Sequence, residues 1–270
     1  MWTSKDIYYI SDSTGILAQT LGRALTCQFP EISFTEHTFP FVQTVQEARD
    51  TLAQILKESS GLQPIIFTTL MSPDVRYIFD HVNVDFFDGF ASHLNRLAHC
   101  LEAKPLRVPG YTHHQEDTAM NAQVEAINYC MDHDDGAKTN DYDKADIIIL
   151  GVSRAGKTPV SVYLATHMGL KTANFPLTDE YLSSYHLPEQ IIAHKQRVVG
   201  LMAAPEILHQ IREKRYSNSN YAKMSTCRQE VQQAQQTFLK YDIPYISSTK
   251  KSIEEISAQI CQELSIERKK

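Results

Sequence analysis

Gly151-Val152-Ser153-Arg154-Ala155-Gly156-Lys157-Thr158 fits G-x-x-x-x-G-K-[ST] at every fixed position. Glycines at 151 and 156 allow the backbone to curl until successive N–H groups point inward at an anion, and the N-terminus of a following helix adds partial positive charge. Lys157 would bring a full charge to terminal phosphates, and the Thr158 hydroxyl is the candidate ligand for a Mg²⁺ that otherwise keeps water and phosphate oxygens. Arg154 is a candidate for stabilising charge in the transition state. A blander reading is a tight strand-to-helix turn carrying an exposed lysine. The context speaks against it, because the apolar run Ile147-Ile148-Ile149-Leu150 leads straight in and an amphipathic stretch leads straight out.

Most phosphate-loop hydrolases hold their metal with an Asp that ends a later apolar strand. Here Val198-Val199-Gly200-Leu201-Met202 ends without a carboxylate, so a metal ligand or base has to come from elsewhere. Asp134 and Asp135, just upstream of the loop strand, are the acidic candidates, with His133 beside them as an acid/base. The same Asp-Asp-Gly segment also reads as a capping turn, the commoner use of such a segment at a helix end, and His133 as a cation at a helix end. Ser11-Asp12-Ser13-Thr14-Gly15 also joins a strand to a helix; it reads either as a phosphate- or partner-binding loop or as a cap made by Ser13 or Thr14. His113-His114 lack the spacing that puts two imidazoles on one metal.

The elements that must position these groups alternate. Strands are expected at 7–10, 33–39, 65–68, 145–150, 171–175, 197–201 and 245–247, and helices at 16–25, 45–57, 87–100, 119–132, 158–168, 205–214 and 221–240. A last helix opens at the capping box Ser252-Ile253-Glu254-Glu255. Such alternation implies α/β architecture with parallel sheets. The expected organisation is an N-terminal parallel-sheet α/β domain over 1–104, a linker or loop over 105–118, and a phosphate-loop, kinase-like α/β domain over 119–270.

The 270 residues carry a formal net charge of -6, with 42% hydrophobic and 21% charged residues, the balance of an ordinary globular protein. No basic stripe marks a nucleic-acid surface. Five scattered cysteines without a C-x-x-C pair indicate neither a disulfide framework nor a zinc ribbon, and fit a reducing compartment. No apolar run approaches the roughly 18 residues of a membrane helix and no signal-peptide core is visible, so a cytoplasmic location without a membrane partner is expected.

Gly-Val-Ser-Arg-Ala-Gly-Lys-Thr-Pro over 151–159 is more specific than a generic phosphate loop. Together with Tyr9-Ile10-Ser11-Asp12, Phe39-Pro40-Phe41-Val42, His133-Asp134-Asp135-Gly136, Tyr163-Leu164-Ala165, Ala173-Asn174, Gly200-Leu201, Tyr221-Ala222 and Ser252–Ile256, it resembles the bacterial phosphoenolpyruvate synthase regulatory proteins. The resemblance implies a kinase that uses ADP to phosphorylate a threonine of phosphoenolpyruvate synthase, inactivating it. It also implies the reverse step, in which inorganic phosphate removes that group and pyrophosphate is released. Residue types alone could supply neither donor nor target. Gln123 and Asn220 stand where the resemblance leads one to expect arginines. A non-catalytic ADP sensor and a small-molecule kinase remain the competing readings, and a homodimer is an open expectation.

Overall fold

The computed structural model describes residues 4–59, 63–80, 82–109 and 117–266, the last span without the side chains of 117–119. The chain divides into two compact units, Met1–Gln115 and Glu116–Lys270. The expected 105–118 connection straddles that division, and 110–116 with His113-His114 lie outside the described residues.

In the first unit the order is β1 (Ser4–Ile10), α1 (Ile16–Thr26), β2 (Ser33–Phe39), α2 (Val45–Glu58), β3 (Ile65–Thr68), α3 (Pro73–Asp80), β4 (Asp85–Asp88) and α4 (Ala91–Cys100). The strands form a parallel sheet in the order β2-β1-β3-β4. Tyr8, Ile10 and Ile66 pack on one face, and Ile7, Tyr9 and Phe67 on the other. Both faces are covered, which is why β1 ends in an unbroken apolar run rather than an alternating one.

The helix expected over 87–100 needs correction. Residues 85–88 instead form β4, and the Asp88 carboxylate accepts the Phe90 and Ala91 amides at 2.7 and 2.6 Å, so that α4 starts only after it. The short helix α3 carried too little periodicity to be expected.

The second unit contains α5 (Asp117–Asp132), β5 (Ile147–Gly151), α6 (Lys157–Met168), β6 (Thr172–Pro176), α7 (Asp179–Ser184), α8 (Glu189–Ile192), β7 (Val198–Met202), α9 (Pro205–Arg215), α10 (Met224–Lys240), β8 (Tyr245–Ser247) and α11 (Ile253–Glu263). Its parallel sheet runs β6-β5-β7-β8. Ile148, Leu150, Ala173 and Phe175 point into one core; Ile147, Ile149, Val199 and Leu201 point into the other. The Ser252 capping box opens α11 as expected, with both reciprocal bonds formed at 3.2 and 2.8 Å. The helix expected from 221 begins at Met224, preceded by a single 3-10 turn over Asn220–Ala222. The architecture is therefore α/β, with two four-stranded parallel sheets among the described residues.

Candidate functional site

Strand β5 delivers the glycine-rich loop to the carboxyl edge of the second sheet, beside its neighbours β6 and β7. Ligands of open parallel sheets bind in the crevice at this edge, where the strand order reverses. Gly151 is required there because a Cβ would stand 2.5 Å from the Leu201 carbonyl oxygen on β7. Gly156, with φ 101°, turns the chain in a left-handed conformation into α6, whose N-terminus carries no side-chain cap. Arg154 also lies at positive φ, 72°. Loop, helix start and the Pro176–Thr178 segment enclose a cleft of about 510 Å³ lined by Asp135, Ser153, Arg154, Gly156, Lys157 and Thr158, among others.

Lys157 is only 5% exposed, unlike the exposed lysine of the blander reading. Its ammonium folds back over the loop and donates to the Val152 carbonyl at 3.3 Å. Burial pushes its pKa down to about 8; Asp135 and Asp134 act in the opposite direction, and Arg154 and Arg212 reinforce the depression. An anion entering the cleft would meet a cation held short of full solvation, which favours strong pairing.

The Asp-Asp-Gly segment reaches the loop. Helix α5 stops at Asp132, and a 3-10 turn over Asp134–Gly136 follows, so Asp134 lies beyond the last helical turn. The Thr158 hydroxyl donates to Asp134 Oδ1 at 3.0 Å. The same oxygen accepts a hydrogen bond from the side-chain amide of Asn174. Asn174 Oδ1 in turn accepts the Asp135 amide at 2.9 Å, and the Asn174 amide donates to the His133 carbonyl at 3.1 Å. Asn174, buried on β6, thus clamps the segment from both ends of its side chain. Asp135 sits at φ 51°, followed by Gly136 at φ 79°, and this pair of left-handed residues turns the Asp135 side chain to the cleft.

His133 behaves differently from its two neighbours. Its ring stacks on Tyr129 at 3.7 Å between centroids, Nδ1 faces the Tyr129 carbonyl at 2.8 Å, and it lines a separate hollow with Lys138 and Lys171. The structure therefore does not bring the imidazole into the loop cleft.

Three further residues, missed in the sequence, support the loop. The Arg212 guanidinium, fully buried on α9, donates to the Ser153 carbonyl at 2.9 Å and to Glu230 at 2.6 Å, and lies 4.2 Å from the centre of the Tyr221 ring. The Tyr221 and Ser153 hydroxyls are 2.8 Å apart. The Ser248 hydroxyl lies 3.1 Å from the Ala155 carbonyl. A usable signal existed for Arg212: it falls four residues after Leu208, on the buried stripe of α9, where an arginine must find partners. Gln123 is placed in the α5–α6 packing, donating to the Thr166 carbonyl, while Asn220 stands exposed in the turn before Tyr221.

In the first unit the Ser11–Gly15 loop takes neither expected form of cap. Gly15, at φ 81°, is the residue preceding α1, without a side-chain cap bond. Ser11 Oγ instead accepts from the Ser13 amide and the Thr69 hydroxyl at 3.1 and 3.0 Å.

For a divalent metal, the Thr158 hydroxyl and the Asp134 carboxylate offer adjacent hard oxygens. Among the described residues no group of three or more His, Cys, Asp or Glu side chains forms a closed cage. That donor set fits Mg²⁺, which is usually bound through one or two protein oxygens with phosphate and water completing its shell.

A family model described as kinase/pyrophosphorylase matches residues 7–261. The chain is 44% identical to a protein of Desulfotalea psychrophila, over 97% of this chain and 96% of the relative. It is 40% identical to one of Acinetobacter baylyi, over 98% and 96%, and to one of Pseudomonas aeruginosa, over 100% and 99%. Each of these relatives is provisionally named a phosphoenolpyruvate synthase regulatory protein.

Proposed function

The chain belongs to the kinase/pyrophosphorylase family, and from that premise we propose that it transfers phosphoryl groups to and from a threonine of phosphoenolpyruvate synthase at the Gly151–Thr158 cleft. In the kinase direction ADP is the donor. The threonine oxygen attacks the β-phosphorus, the bond to the bridging oxygen breaks, and AMP leaves. In the reverse direction inorganic phosphate attacks the phosphothreonine phosphorus, pyrophosphate forms, and the proton given up by the attacking phosphate ends on the threonine oxygen. The names of the relatives support the target, and the resemblance of the 151–159 segment supports the donor.

The observation that carries a transfer reaction, rather than nucleotide sensing alone, is the carboxylate pair at the loop. Asp134 is tied to Thr158 and would hold Mg²⁺ with it, neutralising charge on the phosphates. Asp135 lines the cleft with no hydrogen bond from Thr158, and serves as the base that takes the threonine proton and returns it in the reverse direction. Lys157 and the loop amides bind the phosphates, and Arg154 offers its charge to the group in flight. His133 has no part in the transfer.

The test is incubation of the protein with ADP, Mg²⁺ and phosphoenolpyruvate synthase, followed by mass spectrometry of the synthase. The expected result is one phosphothreonine, with equimolar AMP, that disappears with phosphate while pyrophosphate accumulates. Tight ADP binding with no modification of the synthase would favour the sensor reading instead.

A further inference from the structure

We infer that Arg212 and Ser248 are positioning residues that aim the loop's anion-binding amides by holding the preceding carbonyls from outside the cleft. The inference rests on the proposal that the cleft takes a nucleotide's phosphates. A trans peptide unit is planar, so its C=O and the following N–H point in opposite directions, and the described chain contains no cis peptide. Whatever fixes a carbonyl on the outer side therefore fixes the next amide on the inner side.

Two peptides of the loop are held in this way. The Ser153 carbonyl accepts from Arg212 Nη2 at 2.9 Å, which directs the Arg154 amide away from α9. The Ala155 carbonyl lies 3.1 Å from the Ser248 hydroxyl, which directs the Gly156 amide away from the segment after β8. The Met202 carbonyl, which also receives the Ser248 amide at 2.7 Å, is likewise 3.1 Å from that hydroxyl, so its single proton lies between the two carbonyls and ties the loop to the end of β7. Neither the Arg154 nor the Gly156 amide has an acceptor among the described residues. Both residues lie at positive φ, the backbone state that gathers alternate amides into a concave anion nest.

The choice of residue at each anchor follows from its surroundings. A fully buried guanidinium is costly unless its donors are used. Arg212 uses its two Nη groups on Ser153, Glu230 and the Tyr221 carbonyl, the last at 3.2 Å, leaving only Nε without a partner among the described residues, while its face rests on the Tyr221 ring. The Tyr221–Ser153 hydroxyl contact fixes the same loop residue a second time. Ser248 is a lighter anchor, one neutral hydrogen bond on a half-buried side chain.

Pyrophosphate is the probe, since it reads the loop without base or ribose. Isothermal titration on the full chain compares wild type with Ser248→Ala, Ser248→Thr and the paired variant Arg212→Met/Glu230→Gln, with thermal unfolding measured alongside. Ser248→Ala is expected to weaken pyrophosphate about tenfold, the scale of one lost hydrogen bond, with little change in Tm, and Ser248→Thr to restore it. In the transfer assay KM for ADP rises about tenfold in Ser248→Ala while kcat holds, as for binding made equally in ground and transition states. The paired variant should lose more. Should it not fold, the two Ser248 variants decide the matter alone. Unchanged pyrophosphate affinity in Ser248→Ala, with wild type binding normally, overturns the inference; no binding by wild type overturns the phosphate cleft and the inference together.

Discussion

The two units use one backbone device for two kinds of surface. Both sheets have the same order, with the first strand of each unit inside and the second at its edge. In both, the first strand is followed by five residues ending in a left-handed glycine, Gly15 or Gly156, and then by a helix without a side-chain cap. The residues at corresponding places differ. Ile16 and Leu17, largely exposed, open α1 where Lys157 and Thr158 open α6. In the first loop the buried charge is a carboxylate: Asp12 accepts the Met71 amide at 2.6 Å, while the Asp12 carbonyl accepts from Gln43 at 3.0 Å and the Ser11 amide donates to the Phe39 carbonyl at 3.1 Å. In the second, the Ser153 and Ala155 carbonyls are approached by Arg212 and Ser248, and the buried charge beside the loop is the Lys157 ammonium. Topology supplies the same strand-to-helix turn in either case; what differs is whether a carboxylate or an ammonium is buried beside it.

The sharpest test of that contrast is Lys157→Met. Transfer should fall by 10³-fold or more, because the charge on the terminal phosphates is lost. The unliganded protein should at the same time become more stable at pH 7. The unfolded lysine, at 10.5, holds its proton more tightly than the folded one at about 8, so burying the ammonium costs stability at every pH below about 8. That cost is relieved as pH rises from about 8 to 10.5, and the gap corresponds to on the order of 3 kcal/mol. Thermal unfolding of both proteins at pH 7 and pH 9.5 checks the sign: the advantage of the variant should shrink at the higher pH.

Next in size is the division between the acids. Asp135→Asn should slow transfer by about 10²-fold, roughly 3 kcal/mol in the transition state, with ADP affinity retained. Asp134→Asn should instead raise the Mg²⁺ concentration needed for half-maximal rate, since its carboxylate is the partner of Thr158. Transfer rates and Mg²⁺ titrations run in parallel would merge the two roles if both variants responded alike.

A smaller effect is expected from pH alone. Binding of ADP to wild type should weaken as pH rises above about 8, approaching tenfold per pH unit, because the anion needs the Lys157 ammonium that the free protein is then losing. Calorimetry in buffers of different ionisation enthalpy would detect the accompanying proton uptake; a flat profile between pH 7 and 9 would mean that Lys157 does not face the phosphates.

The smallest effect belongs to the first unit. Burial raises the Asp12 pKa against the opposing Met71 hydrogen bond, so the folded state binds its proton more tightly than the unfolded state and stability falls as pH rises through that range. Asp12→Asn removes this cost and should add no more than about 1 kcal/mol at pH 7, leaving transfer within about twofold. Loss of ADP binding in this variant would erase the distinction between the two loops.

Much of this was legible in the residues themselves. The apolar runs at 7–10, 65–68 and 147–150 and the capping box at Ser252 mark elements through local patterns that any fold must respect. The spacing of Gly151, Gly156, Lys157 and Thr158 marks the loop because neighbouring residues of one turn specify its curvature by themselves. The start of α4 was misplaced because Asp88 ends a strand and caps a helix at once, and a four-residue strand leaves almost no period to detect.

What only the tertiary structure decided are matters of reach across the chain. Asp134 meets Thr158, 24 positions further along the chain, and does so because Asn174, 40 residues beyond it on a neighbouring strand, holds the turn in place. Arg212 comes from 59 residues past Ser153 and Ser248 from 93 past Ala155. His133, equal to Asp134 and Asp135 on paper, is turned away by the stack on Tyr129. Lys157 was placed at the phosphates by the loop pattern, but its burial and lowered pKa depend on walls that no local pattern encodes. Sequence spacing determines what a short segment can curl into; which charges are desolvated, and which groups stand opposite one another, is set by the packing of strands and helices far apart in the chain.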